Sequence, residues 1–439
     1  MHHNFTIRII LILTVSLACW QTLMAQNSSL NDNSDDENLL SNQVYSDNIH
    51  TVQFYREGWE FSQPVLFLGS DQQLVLKFDD LSGEAHTYSY TIKHCNADWT
   101  PSNLIESEYL DGFFENTIDD YQYSVNSTIP YVNYLLRIPN DDVKPKISGN
   151  YVLTVWRDYD HTKPVLTRRF FVVDQKVGVT GRVKAATYDS YKGPNQEVDF
   201  EIQHPDFSIQ NPRSEIKVLL MQNGRWDNAK TDLLPEFIQE NTLVYDYSQE
   251  NVFPGGNEFR NFDMKSLRVN GKGIADIQYL SPIYHVTLLT DKDRHGQDYH
   301  FENDLDGHYL VKRDNVTDSD VESDYAMVHF SLDIQAPLTE GNIYVFGELS
   351  GWQCTPANQM AYSIERKQYE LALLLKQGFY DYEYAYVANE DGKIDTSLLE
   401  GSHVETENNY QIFVYYRGIS SRYDQLIGYQ VINSAHPQN

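Results

Sequence analysis

The sequence predicts an all-β chain of tandem β-sandwich domains in series, immunoglobulin-like or early-set-like, with little helix. Three observations predict it. Apolar residues recur with period two in run after run, without stripes of helical period. Turn residues punctuate these runs at short intervals, as sandwiches require. Aromatic residues make up 13% of the chain, with 32 Tyr, a residue that buries its ring in a sheet face while its hydroxyl stays wet.

The elements follow in order. Arg8 precedes an apolar run from Ile9 to Ala18, and Leu23-Met24-Ala25 stands before Gln26. This layout is that of a secretory signal peptide, residues 1–25. The alternative is a lipoprotein with Cys19 at the new terminus, after Leu17-Ala18. Residues 26–48, rich in Asn, Ser, Asp and Glu, read as a disordered polar arm, because so polar a segment buries too little surface to offset its ordering entropy. No later segment is apolar enough to span a membrane.

Residues 49–175 read as an N-terminal sandwich. Leu74, Leu76 and Phe78 alternate with Val75, Lys77 and Asp79; Tyr88, Tyr90 and Ile92, then Val132 to Ile138, then Tyr151 to Val155, repeat the pattern. Residues 103–121 read as an irregular excursion. Residues 176–321 read as a middle β-domain, with strands at Val198 to Ile202 and Ile216 to Leu220, turn signals at Asn223-Gly224 and Asn270-Gly271, and a weak helical pattern at Leu233 to Gln239. It ends in an acidic loop and linker. Residues 322–439 read as a C-terminal sandwich. There Tyr380, Tyr382, Tyr384 and Tyr386 form a ladder on one strand face, predicted to face the core, with Asp381 and Glu383 on the other face.

Charge narrows the function. With 33 Lys and Arg against 63 Asp and Glu, the formal charge is −30. Nucleic acid and anionic membranes are poor partners for such a surface, since phosphate affinity comes from basic residues. Three cysteines, two of them far apart in the mature chain, make no disulfide framework and no C-x-x-C zinc site. There is no G-x-S-x-G, phosphate loop, dinucleotide glycine pattern or H-E-x-x-H. His295, His300 and His308 lie among Asp291, Asp293, Asp298, Glu302, Asp304 and Asp306, a donor set that can ligate zinc, iron or calcium. The spacing fits no defined motif, and a solvated acidic loop is the expectation. Asn389-Glu390-Asp391-Gly392 reads as a hairpin turn. No catalytic residue, cofactor or metal is expected.

The most distinctive stretch runs from Asn251 to Arg268. Pro254-Gly255-Gly256 is a turn, followed by Phe259, Phe262, Met264 and Leu267 interleaved with charge. Arg260, Lys265 and Arg268 cluster there, and pairing with Glu258 and Asp263 is the plain account of them.

Two resemblances complete the picture. Gly347, Trp352, Tyr382-Glu383-Tyr384 and Asp391-Gly392 resemble the starch- and glycogen-binding early-set sandwich, though Ala385 and Ser350-Gly351 depart from its pattern. More of the chain is similar to the type IX secretion system plug protein family of Bacteroidota. The residues are His94-Cys95-Asn96-Ala97-Asp98-Trp99, Glu108 to Phe113, Phe253 to Arg260, Glu400-Gly401-Ser402, Thr406-Glu407-Asn408, Tyr415-Tyr416-Arg417 and Arg422-Tyr423-Asp424. That resemblance implies a non-enzymatic periplasmic protein, peripheral at the outer membrane, which binds the outer-membrane β-barrel translocon and closes its periplasmic mouth. It also implies that Cys95 is a buried small hydrophobe. The alternatives are a cell-envelope glycan-binding protein, with Trp352 stacking on sugar, and then an uncharacterised envelope hydrolase. The residues put forward as partner contacts are Arg260, Lys265, Arg268, Trp99 and Trp352.

Overall fold

The structure, a computed structural model, describes residues 39–188, 192–247 and 249–435. The expected signal peptide, Cys19 and the arm up to residue 38 lie outside the described residues. The rest is all-β, with mostly antiparallel sheets and helices of a single turn.

The N-terminal sandwich faces two sheets. One carries the strands Gln43–Val44, Asp160–Val173, Gly149–Arg157, Tyr88–Cys95 and Glu115–Thr117, with Val65–Phe67 beside Asp160–Val173. The other carries Ile49–Arg56, Leu74–Asp80, Val132–Ile138 and Asp120–Tyr123. The alternating residues meet between them: Leu76, Phe78, Tyr90, Ile92, Tyr134, Leu153 and Phe170 are buried in one cluster. The irregular residues 103–121 supply short strands at its rim, Leu110–Gly112 and Glu115–Thr117 among them.

Residues 39–48 of the arm that the sequence reads as disordered are ordered. Gln43 and Val44 pair with Thr167 and Leu166, and the Leu40 carbonyl accepts from Arg169 Nε at 2.7 Å. Side-chain composition misleads here, because backbone groups make the bonds.

Hydrogen bonding also departs from the division at 321/322. Strand Ile216–Gln222 pairs with Asn409–Tyr416, which pairs with Gln425–Asn433. These strands close against the sheet formed by Gly178–Ala185, Asn195–Gln203 and Thr242–Tyr245 around Val198, Phe200, Leu220, Tyr245 and Ile412. Conversely, Arg260–Asp263 and Tyr309–Val311 both pair with Gly378–Ala388. The third sandwich is therefore inserted in the middle one. Periodicity within a strand carries no record of which distant strand it joins. The helical pattern at 233–239 yields no helix: Phe237–Ile238 is a strand paired with Thr242–Tyr245. The turn signal at Asn270-Gly271 joins no hairpin; the hairpin there turns at residues 281–282.

Two seams fix the N-terminal sandwich to the others. Against the middle unit the contact is apolar: Cys95, Trp99, Val152 and Phe171 pack on Leu219, Met221, Phe413 and Leu426, and Phe171 stacks on Phe413 at 4.2 Å. Against the third unit it is charged. Lys376 Nζ lies 2.5 Å from Asp79 Oδ2, with both side chains at most 1% exposed. Asp79 also accepts from Tyr325 Oη at 2.6 Å and Asn133 Nδ2 at 2.8 Å. Burial, the largest influence, draws the Lys376 pKa down despite Asp79.

Candidate functional site

The stretch from Asn251 turns out to be the crossing from the middle unit to the third. Val252–Pro254 pairs with Asn195–Gln203 in the middle unit, and Arg260–Asp263 pairs with Gly378–Ala388 in the third. The chain returns beside it through residues 400–408. His403 N donates to Gly256 O at 2.8 Å, Asn257 Nδ2 to Glu400 O at 2.7 Å, and Asn408 Nδ2 to Gly255 O at 2.8 Å. Any side chain at position 255 would run into the His403 carbonyl, so the approach demands glycine. Three of the family-like runs, 253–260, 400–402 and 406–408, are thus one structural feature.

Beside the crossing lies a buried ion network. Arg260 Nε donates to Glu400 at 3.0 Å and Nη1 to Asp291 at 2.9 Å, while Arg294 Nε donates to Glu400 at 2.7 Å. Burial works against the Glu400 carboxylate, yet Arg260 and Arg294 outweigh it and hold its pKa below the usual value. Asp291 also accepts from Tyr382 and Tyr384, at 2.7 and 2.8 Å.

The strand Gly378–Ala388 is buried on both faces. Tyr380, Tyr382 and Tyr384 face the core as expected, with Tyr386 partly buried beside them. Asp381 and Glu383 on the opposite face are buried too. Asp381 Oδ2 accepts from the backbone N–H groups of Leu305 and Gly307. Its Oδ1 and the Oδ1 of Asn261, directly opposite across the ladder, have no partner. Burial, then the neighbouring Asp304, pushes the Asp381 pKa up to about 8. A carboxylic acid held neutral in this way can donate to an amide oxygen. Glu383 meets Arg225 of the middle unit at 3.1 Å, and burial still raises its pKa to about 7.

The acidic loop is only partly solvated. His295 and His300 are exposed, whereas Asp291 faces inward and Asp304 and Asp306 serve as turn acceptors for Phe259 N and Asn409 Nδ2. No three carboxylates, histidines or cysteines of this loop converge on a metal among the described residues; the group that does converge is Glu197, Asp199 and Asp246. Lys184 already sits among those three, 2.6 Å from Asp199 and 3.2 Å from Glu197. Cys95 is buried, its thiol pKa pushed up to about 12 by that burial, and no disulfide joins it to Cys354.

The residues put forward as partner contacts are not brought together. Arg260 is absorbed in the ion network, side chain 9% exposed. Trp99 is buried in the apolar seam, with the Arg169 guanidinium 4.3 Å over its ring and 4.6 Å over Trp226. Trp352 is half-buried, its ring meeting Phe346, Phe259 and His308 edge-on. Lys265 pairs with Asp263 at 3.0 Å. Arg268 alone of the five is exposed. Sequence reasoning did not join Glu400 to Arg260, because 140 residues separate them.

What the fold and this centre define is an all-β protein of three interlocked sandwiches, with the buried polar pairs Asp79–Lys376 and Arg225–Glu383 crossing between units. Residues 49–174 match the first domain of the type 9 secretion system plug protein, and the chain carries that domain. That domain points to a type IX secretion-related protein and to an envelope or periplasmic location, and the plug domain family is not enzymatic. The crystal structure of a hypothetical protein from Parabacteroides merdae ATCC 43184 is similar at 38% identity, with a TM-score of 0.87, over 89% of this chain and 98% of that one. No curated protein matches. The match to the plug family ends at residue 174, and the starch-binding resemblance of the third unit is not confirmed.

Proposed function

We propose that this protein is a non-enzymatic periplasmic plug: it binds the outer-membrane translocon of type IX secretion and closes its periplasmic mouth when no substrate is passing. The observation that carries this reading is the plug-family match over the N-terminal sandwich. The way the sandwiches are joined supports it. We take the units as residues 39–174, residues 175–255 with 402–435, and residues 256–401. Buried contacts at each seam oppose swivelling, and a stopper must keep its shape. Among the described residues no helix is long and apolar enough to cross a membrane.

The test is co-purification. Tagged protein recovered from gently solubilised envelopes should bring down a very large outer-membrane β-barrel, and a strain lacking the protein should admit a dye that the wild type excludes. Repeated recovery without the barrel would sink the proposal.

A further inference from the structure

The arm that leads into the first sandwich reaches all three units. Gln43 and Val44 form an edge strand on Asp160–Val173 of the first unit, and Tyr45 N donates to Val165 O at 2.9 Å. Leu40 packs against the apolar seam between the first and middle units. The Asn42 carbonyl accepts from Gln353 Nε2 of the third unit at 2.5 Å. The arm also serves two half-buried arginines. Arg169 Nε donates to Leu40 O at 2.7 Å, with its guanidinium set against the rings of Trp99 from the first unit and Trp226 from the middle one. The backbone N–H of Arg169 donates to Asn42 Oδ1 at 2.7 Å, and Arg168 Nη1 donates to Gln43 O at 3.1 Å.

These ties are several, yet the arm lies shallow. Residues 39–46 are all half-exposed, and the edge strand is two residues long. Most of the arm's acceptors are backbone carbonyls, which an extended segment of any sequence presents. Hydrogen bonds along a half-exposed path open at a smaller free energy than a packed sheet does. When the arm opens, the edge of Asp160–Val173 is bared as far as Phe171, where Val65–Phe67 takes over. Arg168 and Arg169 then lose their arm acceptors, and the bond from Gln353 is broken.

We propose that residues 39–45 are a detachable strap: they fill an edge site that takes an extended segment through backbone hydrogen bonds, and their withdrawal loosens the junction of the three units. The occupant of the site is the chain's own arm. The inference does not depend on the plug reading, and its test needs no translocon.

Hydrogen exchange of the full-length protein, followed by mass spectrometry, tests it. The amides of Tyr45 and Arg169 are bonded across the strap. In the wild type they should exchange together, about a hundredfold faster than the amide of Leu153 in the core. The double variant Gln43→Pro with Gln353→Ala removes a ladder N–H and the tie to the third unit, and should speed both by about tenfold more while Leu153 is unchanged. Two amides report on the junction: Ala97, which donates to Asp424 of the middle unit, and Thr128, which donates to Asp324 of the third. Both should speed up in the double variant, and neither in the control Asn48→Ala. In a chain beginning at Ser46, a peptide of residues 39–45 added in trans should slow Arg169 again, saturably, and the same peptide carrying Gln43→Pro should not. If that shortened chain fails to fold, the double variant decides alone. Exchange of Arg169 as slow as that of Leu153 in the wild type would show that the arm opens only with the whole protein, and overturns the inference. So does a double variant in which Ala97 and Thr128 keep their wild-type rates, or equal rescue by the proline peptide.

Discussion

The N-terminal sandwich meets its two neighbours in opposite ways. Its seam with the middle unit resembles a core: Phe171 on Phe413, and Val152 among Leu219 and Met221. Its seam with the third unit is built on a buried ion pair, Asp79 with Lys376, held by Tyr325 and Asn133. An apolar seam gains from area and tolerates small shifts. A buried ion pair contributes little net stability, yet it penalises any arrangement that leaves one charge unpaired. The first seam supplies adhesion and the second a single docking register.

The sharpest way to break this comparison is Lys376→Ala. It strands the Asp79 carboxylate in the interior, and a loss of about 3–5 kcal/mol is expected by chemical denaturation. Pairing it with Asp79→Leu should recover most of that loss. Next comes Leu219→Ala in the apolar seam. It should cost roughly 2–5 kcal/mol, without the rescue by a second change that marks the charged seam. If Lys376→Ala costs less than 1 kcal/mol, the two seams are not different in kind.

A smaller effect concerns pH. Asp381, with a pKa of about 8 in the folded protein, holds a proton that the unfolded chain gives up near the usual carboxylate value of about 3.9. Between those values the folded state binds more protons, so stability falls as pH rises. Glu383, at about 7, acts in the same direction. The melting temperature should therefore be higher at pH 5.5 than at pH 8.5, with a shallower slope in Asp381→Asn. An unaltered slope in that variant would assign the proton elsewhere. The smallest effect is expected from Arg268→Ala, within about 0.5 kcal/mol, since that side chain is exposed.

Much of this fold is legible in the sequence, for a physical reason. Alternation is a local property, so Leu74 to Phe78 and Tyr380 to Tyr384 announce both strands and faces. What alternation omits is the cover on the second face. Asp381 and Glu383 read only as the face opposite the tyrosines, and the loop at 303–308 and Arg225 cover them. The insertion of one sandwich in another is equally silent, because Ile216 finds Tyr416 across the whole third unit. Arg260 shows the same limit: its nearest acid partners in sequence are Glu258 and Asp263, while the structure gives it Glu400 and Asp291. Of the residues put forward as partner contacts, only exposure could separate Arg268 from the others, and exposure is a tertiary property.

The paired crossings at residues 254–260 and 400–408 impose an order of events on the nascent chain. The middle sandwich begins to form when Gly178 to Gln222 emerge, but two strands of its second sheet, Asn409–Tyr416 and Gln425–Asn433, arrive only after the whole third sandwich has been made. Until then Val218 and Leu220 wait without their cover. A chain stopped at residue 408 would therefore lose the middle sandwich and keep the strands of the third. The vulnerable species during folding is the nearly complete chain, whose exposed half-sandwich is the surface most prone to aggregate or to recruit a chaperone.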